Sequence, residues 1–164
     1  MDKIKLIPKV GFGNVRFGMT VQEVKKILGK PDEEVDNDRL GEDDEDTMIT
    51  LYYDELGLSL SFDKLTDFRL SDIMTEGYSS VSMEGGIRFG MSVEDVRGLV
   101  AKADFGPMEE SDLDEEEIGD NDEELTSYDL PEISVSLWFK EDRLDTIQLG
   151  PEYDENDNIV WPKK

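Results

Sequence analysis

The chain contains no cysteine and no histidine, and each absence removes a class of chemistry. Without cysteine there is no disulfide framework and no thiolate metal site, and nothing argues for an oxidising compartment. Without either residue, acid–base and nucleophilic roles fall to Asp, Glu, Lys, Tyr, Ser or Thr. With 42 carboxylates in 164 residues, the presence of a suitable pair carries no information, and the expectation is a chain that is not an enzyme. Long apolar runs are also missing: no window approaches the ~18 apolar residues of a membrane span. The opening MDKIKLIPKV lacks a continuous apolar core of signal-peptide length, so a cytoplasmic location is expected. Positive charge is scarce, with 17 Lys and Arg and a net charge of −25. Nucleic-acid backbones and anionic membranes would therefore be repelled, because both are bound by basic side chains that displace counterions. A basic protein surface or a cation is the partner that this charge suits.

The acid is concentrated in two places. Residues 32–46 hold ten carboxylates and residues 109–124 hold eleven, while the rest of the chain holds 21 acidic and 16 basic side chains, an ordinary balance for a domain surface. Both segments read as loops. Asp36-x-Asp38-x-x-Gly41 and Asp114-x-Glu116-x-x-Gly119 place oxygen ligands and a glycine as a calcium loop does. The fifth position is nevertheless Leu40 or Ile118 and the twelfth is Thr47 or Leu125, where a bidentate glutamate is needed, so an EF-hand is excluded and no cofactor is assigned. Weak cation binding, or simple solvation, remains as an alternative reading of the two segments.

What the chain has in abundance is internal similarity. GNVRFGMTVQEVKKILGK at 13–30 recurs as GGIRFGMSVEDVRGLVAK at 85–102, and LSLSF…KLTDFRL at 58–70 returns as VSLWF…RLDTIQL at 135–149. The expectation is an α+β fold of two tandem repeats, 1–80 and 81–164. Each carries a short helical element on an antiparallel β-sheet. Units of that size are marginal alone, so the two are expected to fold as one cooperative body. Thr20 with Glu23 makes a capping box, and Ser92 with Asp95 a weaker one. Behind them Val21, Val24, Ile27, Leu28 and Val93, Val96, Leu99, Val100 fall on one helical face. GFGNVR at 11–16 begins like a dinucleotide loop but lacks the third glycine and, from sequence, a preceding strand.

Beyond each acidic segment the apolar period becomes two. Ile49, Leu51, Tyr53, Leu58, Leu60 and Phe62 in the first repeat, and Ile133, Val135, Leu137 and Phe139 in the second, are expected to face the helices. Thr50, Tyr52, Ser59, Ser61 and Arg69, with Ser134, Ser136, Trp138 and Gln148, then share the opposite face, which is expected to be open to solvent or a partner. Tyr52, Trp138, Arg69 and Gln148 are the candidate contacts on that face, since Tyr and Trp dominate interface energetics. Asp43, Asp44, Glu45 and Asp46 in the first acidic segment and Glu115, Glu116 and Glu117 in the second are candidates for steering a basic partner.

VRFGMTVQEVKKILG, its second version IRFGMSVEDVRGLVA and the later SLWF together resemble the β-lactamase inhibitor protein and its relatives, and are similar to the domain of small outer-membrane assembly lipoproteins. The resemblance covers about half the chain. It implies two tandem αβ units forming a saddle-like sheet whose concave face grips a protein, and hence a non-enzymatic inhibitor or immunity-type module. A basic toxin nuclease is one partner such a cysteine-free acidic chain would suit. The chain departs from both groups in lacking the inhibitor's cysteines and the lipoprotein's acylated cysteine, so no target-contacting residue is carried over. A cation- or small-ligand-binding regulatory module is the alternative function, and the oligomeric state is left open.

Overall fold

A computed structural model describes residues 4–36, 48–76, 81–111, 125–156 and 158–162. The fold is α+β, with mostly antiparallel sheets and, among the described residues, two α-helices. In chain order the elements are β1 (Ile4–Ile7), β2 (Gly11–Phe12), β3 (Val15–Arg16), α1 (Val21–Leu28), β4 (Glu33–Asp36), β5 (Met48–Tyr53), β6 (Leu58–Asp63), β7 (Arg69–Glu76) and β8 (Val81–Met83). They continue with β9 (Ile87–Arg88), α2 (Val93–Lys102), β10 (Glu109–Ser111), β11 (Leu125–Leu130), β12 (Val135–Lys140), β13 (Arg143–Leu149), β14 (Glu152–Tyr153) and β15 (Ile159–Val160).

Eight strands form one sheet in the order β10-β11-β12-β13-β7-β6-β5-β4, and every pairing in it is antiparallel. The two halves of the chain meet at β13 and β7, where Ile147 pairs with Thr75 and Gln148 with Met74. A smaller sheet, β3-β2-β1-β8-β9, also draws on both halves, because β1 lies parallel to β8. Buried residues from both helices, both sheets and both halves form one apolar cluster, including Leu6, Val24, Leu60, Ile73, Val96, Leu137 and Ile147.

The helices start as their caps require. The Thr20 hydroxyl accepts from the Glu23 N–H at 3.2 Å, and the Glu23 carboxylate accepts from the Thr20 N–H at 3.2 Å, so two otherwise orphaned donors are satisfied. The turn before each helix is pinned to the large sheet by the same two bonds. The Gly18 N–H donates to the Leu70 carbonyl at 3.0 Å and the Leu70 N–H to the Met19 carbonyl at 2.8 Å. In the second half Gly90 donates to Leu144 at 3.0 Å and Leu144 to Met91 at 2.8 Å. Gly18 and Gly90 take φ of 94° and 87°, a region open to glycine and strained for other residues. At the far end of α1 the Tyr53 hydroxyl donates to the Gly29 carbonyl at 2.9 Å. Burial first, then the neighbouring Glu34 and Asp32 carboxylates, raises the Tyr53 phenol above its ordinary value, which keeps this donor protonated.

The acidic segments are not loops throughout: Glu33–Asp36 and Glu109–Ser111 are the two edge strands of the large sheet. Carboxylates crowded on an outermost strand deter pairing with another chain, so charge and strand are compatible here. A strand, β1, does precede GFGNVR, yet that motif folds into the tight β2–β3 hairpin and not into a strand-to-helix phosphate loop. Ile27, expected in the core, is 40% exposed. Ser134 lies before β12 with φ of 56° and sits on no strand face.

A candidate interaction face on the large sheet

Alternation along β5, β6, β12 and β13 separates two faces. Leu51, Leu58, Leu60, Phe62, Val135, Leu137, Phe139, Leu144, Ile147 and Leu149 are all buried on the helix side. The other face is read directly from register. One row crosses it strand by strand: Glu33, Tyr52, Ser59, Met74, Gln148, Ser136, Asp129 and Glu109 are successive cross-strand partners. A second, shorter row runs Glu76, Thr146, Trp138, Ser127. Tyr52, Gln148 and Trp138 therefore share one face, as their sequence positions imply. With strands about 4.8 Å apart, Tyr52 and Trp138 stand roughly 20 Å from each other across four strand steps.

Arg69 is placed differently from the other three. Its guanidinium donates to the Gly18 carbonyl at 2.9 Å, so the side chain ties the start of β7 to the turn that precedes α1. Asp43, Asp44, Glu45, Asp46, Glu115, Glu116 and Glu117 lie outside the described residues, as do the two calcium-like motifs beyond Asp36. Their segments, 37–47 and 112–124, join β4 to β5 and β10 to β11.

The face is less open than its serines suggest. Thr50 and Ser61 are 6% and 7% exposed and lie 3.3 Å apart, hydroxyl to hydroxyl. Ser136 donates to the Asp129 carboxylate at 2.8 Å. Tyr153, from the β14–β15 hairpin, lines two hollows of this face. One, of about 640 Å³, contains Tyr52, Ser71 and Asp72; the other, of about 450 Å³, contains Asp72, Asp129 and Ser136, and Gln148 borders both.

Asp72 is the feature that sequence reading missed. Counted outward from buried Leu70, strict alternation would put Asp72 inside, but Leu70 pairs with Phe62 and Asp72 with Ser61, leaving Ser71 as an extra residue. The same slip occurs beside Trp138, where Asp145 is extra between Leu144 and Thr146. A legible signal existed: LSDI at 70–73 and LDTI at 144–147 space their buried residues by three, which a bulge produces and a regular strand does not. The bulge turns the Asp72 carboxyl toward Gln148, whose amide donates to it at 2.6 Å.

Burial raises the Asp72 carboxyl above its ordinary 3.8, and the Gln148 bond offsets part of that rise. A raised folded value means that the folded state holds this proton more tightly than the unfolded state. Its contribution to stability is therefore full below the ordinary value and is lost as pH rises through the folded value. Asp72→Asn keeps the acceptor for Gln148 and removes the ionisation. The variant should gain melting temperature over the parent at about pH 7 and lose that advantage as pH falls below the ordinary carboxylate value, where the parent carboxyl is protonated. A difference independent of pH would show that Asp72 ionises freely.

Among the described residues no group of three or more acidic side chains is arranged to hold a metal ion, and no helix is long and apolar enough to cross a membrane. No family model, curated protein or solved structure matches the chain.

Proposed function

We propose that this chain is a non-enzymatic module of inhibitor or immunity type, built from two copies of one αβ unit, that blocks a basic protein through the outer face of its large sheet. The observation that carries this reading is an eight-stranded face with both helices on the opposite side and with half-buried Tyr52 and Trp138 on it. Eight strands about six residues long present roughly 34 Å by 20 Å, or ~700 Å², close to the ~800 Å² that one partner contributes to an interface of standard size. Four carboxylates, Asp63, Asp72, Glu76 and Asp129, border its hollows, while the basic groups beside them are engaged: Arg69 with the Gly18 carbonyl and Lys140 with the Asp145 carboxylate at 3.8 Å. The two-unit reading draws on the sequence repeat, on the matching bonds of Gly18 and Gly90 to β7 and β13, and on the matching bulges after Leu70 and Leu144. On this reading the sheet face supplies affinity, and the acidic segments 32–46 and 109–124 raise the encounter rate. A toxin nuclease, whose own substrate is a polyanion, has the surface chemistry that such a module would neutralise.

The test is a comparison of proteins captured by the parent chain and by a Tyr52→Ala/Trp138→Ala double variant of similar melting temperature. The partner is expected to be basic, to be retained by the parent and to be lost by the variant. Its association rate should fall roughly tenfold or more between low and physiological ionic strength, with dissociation little changed. Equal retention by both chains would remove the sheet face from the mechanism. A salt-independent association rate would leave the carboxylates as solvating groups.

A further inference from the structure

In the register of the two similar stretches, Gly13 corresponds to Gly85 and Ile27 to Leu99, yet the surroundings differ. A Cβ added at Gly85 would lie 2.9 Å from the Phe105 ring, while one added at Gly13 would meet nothing within 4 Å. The reason lies in how each helix ends. After α2 the chain turns at Asp104, with φ of 58°, and the Phe105 N–H donates to the Val100 carbonyl at 3.1 Å, which lays the ring back over Gly85. After α1 the chain leaves through Gly29 and Pro31 into β4, and the position corresponding to Phe105 is Glu33, on a strand. The first half therefore lacks the ring that closes the second.

The space left behind is a cavity of about 540 Å³ between the small sheet, the last turn of α1 and the β5–β6 turn, within the range of small-molecule sites. Its walls include Ile7, Phe12, Ile27, Leu28 and Leu56, with Lys5 and Asn14 as the groups able to donate hydrogen bonds from their side chains. The 40% exposure of Ile27 is a consequence of the missing cover. The segment that supplies all of the lining except Leu56, residues 4–30, carries six Lys and Arg against one acidic side chain, Glu23; of these cations Lys9 is paired with Glu152 and Lys25 with Glu34. Lys5 is exposed and makes no ion pair among the described residues.

We propose that this cavity binds a small aromatic carboxylate, its ring taking the place that Phe105 occupies in the second half and its carboxylate meeting Lys5 at the mouth. The ring is selected by the apolar walls, and the anion by Lys5, whose attraction is short-ranged because solvent ions screen it beyond a Debye length. This site lies apart from the outer sheet face and does not depend on the function proposed for that face.

The test is calorimetric titration of the full chain with 1-naphthoate, 1-naphthamide and decanoate. One-to-one binding of 1-naphthoate with a dissociation constant below about 1 mM is expected, with the amide and the aliphatic acid each weaker by roughly tenfold. Lys5→Gln should weaken 1-naphthoate by roughly tenfold and leave 1-naphthamide unchanged. Ile27→Asp, at a half-exposed helix position, should weaken both. Melting curves establish that each variant is folded, and two separate positions keep the test decisive should one fail. No saturable 1-naphthoate binding up to about 5 mM overturns the site. Tighter decanoate binding overturns the aromatic class, and an unchanged affinity in Lys5→Gln overturns the anion contact.

Discussion

Phe139→Ala is expected to cost the folded chain about 3–5 kcal/mol, whereas Trp138→Ala, one residue away, is expected to cost less than about 1.5 kcal/mol. The larger side chain has the smaller effect because alternation along β12 sends the two to opposite faces. Phe139 is fully buried and meets the Tyr128 ring edge to face with centroids 5.7 Å apart; the Arg97 guanidinium lies over the Tyr128 ring, 5.6 Å from its centre. Removing the phenyl ring leaves a cavity beneath α2 that this stack cannot close. Trp138 is only half-buried, opposite Ser127 and Thr146, and its loss removes no core contact. Under the proposed function Trp138→Ala should instead weaken the partner by roughly 2 kcal/mol or more. Urea denaturation of the two variants decides the first point without any partner. A large stability loss in Trp138→Ala would mean that the indole belongs to the core and that the face has no free aromatic there.

Gly11→Ala should be nearly as damaging, at about 3 kcal/mol or more, while Gly13→Ala, two residues on, should cost only about 1 kcal/mol. Both glycines have positive φ, but Gly13 at 52° lies in the left-handed basin that other residues enter at modest cost, while Gly11 at 140° lies outside it. Space separates them further. Gly11 pairs with Ile7 on one side and Arg16 on the other, and a Cβ there would be driven into the Val15 carbonyl oxygen, a backbone atom that cannot yield without opening β2 from β3. A Cβ at Gly13 enters open space and pays only for its left-handed backbone. Because Phe12 and Val15 belong to the single core cluster, the damage should appear in global unfolding. Equal costs at the two glycines would mean that the β2–β3 hairpin relaxes freely.

By itself the sequence determined the two helices and the sidedness of the central strands. Thr20 with Glu23 and Ser92 with Asp95 marked both helix starts, since a cap is made by residues three apart. The i, i+2 spacing of Leu58, Leu60 and Phe62, and of Val135, Leu137 and Phe139, marked the buried face, since side-chain direction in a strand is a property of the strand alone. Tyr52, Trp138 and Gln148 came onto one face by the same rule. Tertiary structure decided what depends on contacts distant in sequence. Glu33–Asp36 is a strand because β5 offers it backbone partners, which its charge pattern does not reveal. Thr75, polar by type, occupies a core position between Leu58 and Ile147, with its hydroxyl unpaired among the described residues. Arg69 gave its guanidinium to the Gly18 carbonyl, and Asp72 joined the outer face through a bulge whose register exists only against β6. The cavity beside Ile27 was illegible for the same reason: two helices of similar pattern differ there in what the following residues bring back over them, and only the assembled chain shows which one is left uncovered.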